Sequence, residues 1–226
     1  MHCLWCNDPI IVEISWANLV MPPKPKSLCK QCEAELEMIK GKRCEHCSRH
    51  SDAPVCSDCI WWNENTSRDT IIFNHSVFVY NTFMQDMMAK WKYRGDYHLC
   101  HVFKNQFIQS FKETFSFLKK EAVIVPIPLS EERILERGFN QARVLADFLP
   151  LENKDILRRI HGEKQSKKTR NERIHTKNPF ILNESINKTT ILVDDIYTTG
   201  TTLRHAATLL KDQGSPEVYT YTLVRG

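Results

Sequence analysis

The stretch Thr189-Thr190-Ile191-Leu192-Val193-Asp194-Asp195-Ile196-Tyr197-Thr198-Thr199-Gly200-Thr201-Thr202-Leu203 decides the fold. It opens with a short apolar, β-branched run, which is typical of a buried parallel strand. Two carboxylates follow, then a hydroxyl-rich turn, and from Leu203 apolar residues recur at helical spacing. The amide groups of such a turn, the helix N-terminus and the threonine hydroxyls attract an anion, so the stretch predicts a phosphate site.

The acidic pair Asp194-Asp195 indicates a ligand that carries more than a phosphate. Adjacent carboxylates repel a bare phosphate, but they accept hydrogen bonds from sugar hydroxyls and attract a divalent cation. A ribose 5-phosphate meets these conditions, although an acidic N-cap on an ordinary strand-to-helix turn is the simpler alternative. The order of residues resembles the phosphoribosyl pyrophosphate (PRPP) signature of type I phosphoribosyltransferases. This resemblance implies that PRPP and Mg²⁺ bind at Asp194, Asp195, Thr198, Thr199, Gly200, Thr201 and Thr202.

Eight of the nine cysteines form four Cys-x-x-Cys pairs. The pairs are Cys3/Cys6, Cys29/Cys32, Cys44/Cys47 and Cys56/Cys59. In a cytosolic chain this spacing is typical of zinc ligands, and two pairs supply the four thiolates of one tetrahedral site. The sequence therefore predicts two structural Zn²⁺ sites. Joining the first pair to the second and the third to the fourth is the simplest arrangement, and an interleaved one stays open.

Two segments of different composition indicate two domains. Residues 1–62 carry the cysteine pairs and too little apolar sequence for a core, so we predict a double zinc ribbon held together by metal. In residues 63–226 strand-like and helix-like segments alternate, which predicts an α/β fold with a parallel sheet flanked by helices. Helices are expected from Thr82, over 98–119, after Asn140 and after Gly200. The other predicted strands are 71–80, 122–125, 156–160, 180–182 and 217–225.

The overall charge excludes a diffuse electrostatic attraction to polyanions. The formal net charge of +4 falls to about 0 with two four-thiolate zinc sites, since each carries a charge of about −2. No apolar run is long enough to cross a bilayer, and the N-terminus does not look like a secretory signal. We therefore expect a cytoplasmic protein whose affinity for polyanions depends on local clusters.

Local clusters of cations and aromatic residues suggest a track for single-stranded nucleic acid, because cations hold the backbone and flat rings stack on bases. The candidate residues are Lys90, Lys92, Arg94, Lys164, Lys167, Lys168, Arg170, Trp61 and Trp62. Two alternatives stay open. In the first, the basic segment at residues 162–177 is only a solvated loop, and in the second, the two tryptophans pack between the domains. Arg137 is well placed as a phosphate ligand, but it equally fits a solvated charge.

The order of these motifs resembles the ComF family of competence proteins, which join a zinc ribbon to a type I phosphoribosyltransferase domain. The most specific element of the resemblance is Arg137-Gly138-Phe139-Asn140-Gln141. The resemblance implies a role in natural transformation, in which incoming single-stranded DNA is handled in the cytoplasm. It also implies recruitment to the inner face of the membrane at the uptake channel, with a ComFA-type helicase and a recombination mediator as partners.

One position departs from enzymes with a similar signature. Purine-salvage transferases carry an aspartate base where this chain has Thr198. Threonine does not act as a base near neutral pH, so no catalytic residue is assigned. Three hypotheses therefore stand: a DNA-handling competence factor with a PRPP site, a phosphoribosyltransferase with an unknown acceptor, and a PRPP-sensing regulator without DNA contact.

Overall fold

The computed structural model describes residues 1–11, 16, 25–66, 70–93, 95–118, 121–160 and 178–226. Its strands are β1 (Asn74–Val79), β2 (Val123–Pro126), β3 (Glu152–Asn153), β4 (Leu157–Arg159), β5 (Phe180–Leu182), β6 (Thr190–Tyr197) and β7 (Val218–Arg225). Its helices are α1 (Lys30–Ala34), α2 (Ser57–Asn65), α3 (Thr82–Tyr93), α4 (Cys100–Thr114), α5 (Glu131–Arg137), α6 (Gln141–Ala146) and α7 (Thr201–Asp212), with a 3₁₀ turn at Tyr97–Leu99. None of the helices in these ranges is long and apolar enough to span a bilayer.

A parallel sheet of five strands forms the centre of the fold, in the order β1-β7-β6-β2-β3. Strand β7 pairs with β1 on one side and β6 on the other, and all eight of its residues are buried. Continuous burial of this kind is what a parallel sheet covered on both faces requires. The predicted fold class, an α/β fold with a parallel sheet flanked by helices, is confirmed.

Helices cover the two faces of the sheet with separate apolar clusters. On one face Phe103, Phe107 and Phe111 of α4 pack with Tyr221 of β7, with the Phe107 and Tyr221 ring centroids 4.4 Å apart. On the other face Leu203 and Leu210 of α7 pack with residues that include those of β2 and β6. Alternate residues of β6 enter different clusters, as the two-residue period of a strand demands.

The cysteine-rich segment covers the outer edge of the sheet at β1. The Ile39 amide donates to the Val77 carbonyl at 2.9 Å, and the Val79 amide donates to the Glu37 carbonyl at 2.9 Å. Met38 forms an antiparallel bridge with Phe78, so the edge strand finds hydrogen-bond partners on its outer side. The predicted division of the chain at residues 62 and 63 stays a prediction.

Strands β4 and β5 stand apart from the parallel sheet and form an antiparallel pair of their own. The alternation of segments predicted a parallel sheet, and these two strands do not join it. Only residues 154–156 separate β3 from β4, which is shorter than the crossover of about a dozen residues that a parallel neighbour of β3 needs, so β4 does not continue the sheet beside β3. Two elements also differ in their bounds: the helix predicted over 98–119 begins with a 3₁₀ turn and ends at Thr114, and β6 runs on to Tyr197.

Candidate functional site

Strand β6 carries the acidic pair to the carboxyl edge of the sheet. Its pairing with β7 continues through Asp194 and Tyr197, so both carboxylates belong to the ordered end of a central strand. The Asp194 carboxylate accepts a hydrogen bond from the Asp195 amide at 2.8 Å, which fixes its orientation. A cleft of about 340 Å³ opens over this edge. Besides residues of the 194–203 stretch it is lined by Lys92, Ile127, Leu129, Arg133, Arg137 and Arg159.

The turn between β6 and α7, residues 197–201, depends on a glycine. Gly200 has φ of +78°, and a Cβ at this position would lie 2.2 Å from the Tyr197 hydroxyl oxygen. Both the left-handed backbone and the close approach of the tyrosine therefore exclude a larger residue. Gly200 is also the N-cap of α7 and supplies no capping side chain, so amides of the first turn remain available to an anion.

The two carboxylates of the acidic pair have different electrostatic environments. Asp195 forms an ion pair with Lys92 of α3, with 2.7 Å between Nζ and Oδ2. Burial, together with the neighbouring Asp195 carboxylate, raises the pKa of Asp194 to about 7. Asp194 therefore titrates close to neutrality, and a ligand that offers a hydroxyl or a cation favours its ionised form.

Three arginines line the same cleft as the acidic pair: Arg133, Arg137 and Arg159. Arg137 is buried and donates to the Gln141 side-chain oxygen at 3.0 Å, while its Nε finds no partner among the described residues. This burial argues against the solvated-charge alternative. Arg159 was not among the sequence candidates, because a single arginine at the end of a short strand carries no local signal. Burial and the charge of Arg133 lower the pKa of Arg159, whereas Asp194 opposes that shift.

All eight residues predicted to bind PRPP line this one cleft. They are Asp194, Asp195, Thr198, Thr199, Gly200, Thr201, Thr202 and Arg137. Within the turn the Thr199 and Thr201 hydroxyls are 2.9 Å apart, and Thr198 is exposed. The geometry is that of an anion site beside a pair of hydroxyl acceptors, and PRPP as its occupant stays a prediction.

The cysteines form two clusters suited to metal. Cys3, Cys6, Cys29 and Cys32 compose the first cluster, and Cys44, Cys47, Cys56 and Cys59 the second. Within each, the Sγ atoms lie within 4.8 Å of one another. The structure thus joins the first pair to the second and the third to the fourth, which is the simplest of the arrangements considered above.

The donor geometry in both clusters fits Zn²⁺. A tetrahedron with Zn–S bonds of about 2.3 Å separates its sulfur atoms by about 3.8 Å. Cys6 and Cys29 have sulfurs 3.7 Å apart, and those of Cys47 and Cys56 are 3.6 Å apart. A hydrogen bond from Cys59 lowers the pKa of the Cys47 thiol to about 4, with a contribution from Arg225. Four sulfur donors at these spacings would hold a structural zinc ion in each cluster.

The candidate nucleic-acid residues have different environments. Trp62 is 5% exposed, so its ring is packed in the protein, which favours the packing alternative for this residue. Lys92 is committed to Asp195, and Lys90 lies 3.3 Å from an Asp96 oxygen and over the Trp5 ring. Trp61 is half-buried beside Trp62. The remaining candidates, Arg94, Lys164, Lys167, Lys168 and Arg170, lie outside the described residues.

The sheet, its acidic pair and the hydroxyl-rich turn define a phosphoribosyltransferase-type domain, and residues 106–226 match the family described as "Phosphoribosyl transferase domain". Competence protein ComFC of Bacillus subtilis (strain 168) is 37% identical, over 99% of this chain and 94% of that protein. Competence protein ComFC of Streptococcus pneumoniae (strain ATCC BAA-255 / R6) is 32% identical over the full length of both chains. The chain belongs to the ComF family of competence proteins. Among solved structures it is similar to a hypoxanthine phosphoribosyltransferase from Staphylococcus aureus (18% identity, 56% of this chain, 64% of that chain, TM-score 0.36).

Proposed function

We propose that this protein is a ComFC-like competence factor that handles incoming single-stranded DNA and carries a binding site for PRPP with Mg²⁺. The observation that carries the PRPP proposal is the single cleft in which Asp194 and Asp195 adjoin the Thr198–Thr202 turn. The relatives named competence proteins support the role in natural transformation.

Each part of PRPP has a chemically matched partner in the cleft. The 5-phosphate would accept hydrogen bonds from the turn amides and threonine hydroxyls at the start of α7. The ribose hydroxyls would donate to Asp194 and Asp195. Arg133, Arg137 and Arg159 would balance the charge of the pyrophosphate. Mg²⁺ bound with the pyrophosphate would neutralise further charge. Asp194 and Asp195 would offer it the carboxylate oxygens that this ion prefers as ligands.

A crystal structure with PRPP and Mg²⁺ tests this assignment. We expect the 5-phosphate against the Thr198–Thr202 turn and both ribose hydroxyls within hydrogen-bonding distance of the acidic pair. A ligand bound elsewhere, or an empty cleft at saturating PRPP, would leave the motif a structural turn.

An active phosphoribosyltransferase is the alternative use of the same cleft. As pyrophosphate leaves PRPP, positive charge develops on the ribose ring, which carboxylates stabilise, and negative charge develops on the pyrophosphate, which positioned cations stabilise. Pyrophosphate release in the presence of candidate bases, or of DNA, would identify such a transferase. Binding of PRPP with neither turnover nor DNA affinity would identify the third hypothesis, a PRPP-sensing regulator.

Single-stranded DNA binding is tested by titrating a labelled oligonucleotide at several salt concentrations. We expect the protein to prefer single-stranded DNA over duplex and to show little sequence preference. The affinity should fall with salt, because lysines and arginines that bind phosphates release the counterions condensed on the DNA. The double variant Lys167→Glu/Lys168→Glu should weaken binding and flatten the salt dependence. Trp61→Ala should weaken binding with a smaller change in that dependence, because stacking releases no counterion. Zinc-loaded protein that binds no oligonucleotide at low salt would remove the DNA role.

The cellular role adds two proposed protein partners, a ComFA-type helicase and a recombination mediator. Both follow from the resemblance to the competence family. Reduced transformation in a competent host carrying Lys167→Glu/Lys168→Glu, with normal protein levels, would support the cellular part of the proposal.

A further inference from the structure

The phosphate turn is tied to the second cysteine cluster by Arg225, a buried residue at the end of β7. Its Nη1 donates to the Tyr197 carbonyl at 3.1 Å and to the Thr198 carbonyl at 2.9 Å. Its Nε donates to the Cys47 carbonyl at 3.0 Å, and Nη2 lies 3.6 Å from the Cys47 sulfur. One guanidinium therefore joins a predicted zinc ligand to two consecutive carbonyls of the turn.

Trp62 makes a second connection between the same two parts. It lies in α2, three residues after Cys59, and its indole Nε1 donates to the Thr199 carbonyl at 3.0 Å. Its ring lies 4.8 Å from the guanidinium of Arg204 in α7. The helix that carries Cys59 thus contacts both the turn and the helix that follows it.

These contacts help to fix the direction of the turn amides, together with the hydrogen bond from the Gly226 amide to the Tyr197 carbonyl at 2.9 Å. A trans peptide is planar, so the N–H of one residue lies opposite the carbonyl of the residue before it. Holding the carbonyls of residues 197, 198 and 199 toward the cysteine cluster directs the amides of Thr198, Thr199 and Gly200 to the opposite side. Amides that are oriented before the anion arrives need no reorganisation when it binds, which strengthens binding.

We propose that Arg225 and Trp62 are positioning residues through which the second cysteine cluster keeps the phosphate turn in its binding conformation. This inference rests on the proposed PRPP site. The first cluster has other neighbours: Trp5 packs edge-on against Phe83 of α3, and the Ser27 hydroxyl lies 3.5 Å from the His101 carbonyl of α4. Among the described residues, the hydrogen bonds from the cysteine-rich segment to the turn come from the side of the second cluster, so we assign the effect on ligand affinity to that cluster.

The first test uses substitutions that remove the connecting atoms and keep the packing. Trp62→Phe deletes the indole donor but leaves an aromatic ring, and Arg225→Lys keeps the charge but cannot reach both sides at once. Trp5→Phe is the matched control, since Trp5 makes the same type of contact beside the first cluster, edge-on to Phe83 with 5.3 Å between the ring centroids. Calorimetry with ribose 5-phosphate should show about tenfold weaker binding for both test variants and about the wild-type affinity for the control.

Zinc content and melting temperature distinguish positioning from a general loss of structure. We expect Trp62→Phe to keep its full zinc content and to melt within a few degrees of Trp5→Phe while losing ligand affinity. Affinity within about twofold of wild type in Trp62→Phe would overturn the inference, whereas a wild-type protein that binds no ribose 5-phosphate would instead remove the proposed function.

The second test uses reciprocity, because a cluster that strengthens ligand binding must itself be stabilised by the ligand. Cys6→Ser removes an exposed ligand of the first cluster and leaves the second to be followed alone. In this variant saturating ribose 5-phosphate should lower the dissociation constant of the remaining zinc, measured at equilibrium by competition with a colorimetric chelator. Adding Trp62→Phe removes one of the two connections and should reduce this effect even at saturating ligand. An equal effect in both proteins, or none in Cys6→Ser at saturation, would contradict the connection.

Discussion

Lys92 Nζ lies 2.7 Å from Asp195 Oδ2, and both side chains are only 13% exposed. The pair joins the last turn of α3 to the end of β6, and it places a cation beside two adjacent carboxylates. Because both charges are mostly removed from water, each depends on the other for compensation. A lysine that the sequence suggested for DNA therefore belongs to the cleft.

Replacing this cation should damage the protein more than replacing a neighbouring one. Lys92→Met leaves Asp195 uncompensated next to Asp194, and we expect the free energy of unfolding at pH 8 to fall by about 2–3 kcal/mol. Lys90→Met is the control, because its pair with Asp96 is more exposed, at 28% and 30%, and contributes about 0.5 kcal/mol. Chemical denaturation measures both values, and equal losses would contradict the role given to the Lys92 pair.

The acidic pair should make stability depend on pH. Burial and Asp195 raise the pKa of Asp194 from 3.8 to about 7. Between these values the unfolded chain releases this proton while the folded protein keeps it, so the free energy of unfolding falls as the pH rises through the window. Above the folded pKa of Asp194 this contribution becomes constant.

Asp194→Asn should remove that dependence, since an amide does not titrate in this range. We expect the stability of the variant relative to wild type to increase from pH 4 to pH 7 and then level off. Asp52→Asn serves as the control, because the Asp52 side chain is 89% exposed. Urea unfolding at a series of pH values measures the effect, and a difference between Asp194→Asn and wild type that stays flat over this range would be inconsistent with a raised pKa.

Gly200 should tolerate no side chain, because its backbone is left-handed and Tyr197 lies close to it. Gly138 shares the left-handed backbone without the close neighbour, so comparing the two positions separates backbone strain from steric overlap. Both have φ of +78°, but a Cβ at Gly138 meets nothing within 4 Å and one at Gly200 meets Tyr197. Gly138→Ala should therefore cost about 1–2 kcal/mol from backbone strain alone. Gly200→Ala should cost more and should also abolish ribose 5-phosphate binding. If the two alanine variants lost equal stability in denaturation experiments, the close packing of Tyr197 would have no energetic effect.

Metal analysis should give two zinc ions per chain, one for each cysteine cluster. All four cysteines of the second cluster are buried, whereas Cys6 in the first is exposed. We therefore expect Cys6→Ser and Cys59→Ser each to lose one zinc, with the larger fall in melting temperature for Cys59→Ser. Protein that contains no metal and yet shows native stability would defeat the zinc assignment, because this segment has little apolar area to support its fold.

Local patterns allowed us to predict the fold and those parts of the candidate sites that lie close together in sequence. The run from Thr190 to Val193 is β-branched and apolar, and Leu203, Ala206 and Leu210 repeat at helical spacing, so strand and helix were both visible. The hydroxyl-rich turn lies in one contiguous stretch, so its residues were found together. The cysteine spacing likewise identified the residues of both cysteine clusters.

The remaining features depend on contacts between distant parts of the chain. Trp62 and Thr199 are 137 residues apart, and Arg225 and Cys47 are 178 apart, so no local pattern connects them. Arg159 and Lys92 reach the cleft only because β4 and α3 are placed beside it. The antiparallel pairing of β4 with β5 was also missed, because the composition of two three-residue strands does not indicate the direction of their pairing.

Calorimetric titration of PRPP with Mg²⁺ tests the central proposal most directly, with wild type compared with Asp194→Ala/Asp195→Ala. The double variant removes the proposed hydroxyl acceptors at the end of β6 while the turn keeps its backbone, and circular dichroism serves as the control for folding. We predict saturable binding by wild type and none by the folded double variant at the same concentrations. Equal binding by the two proteins would contradict the assignment of this cleft to PRPP.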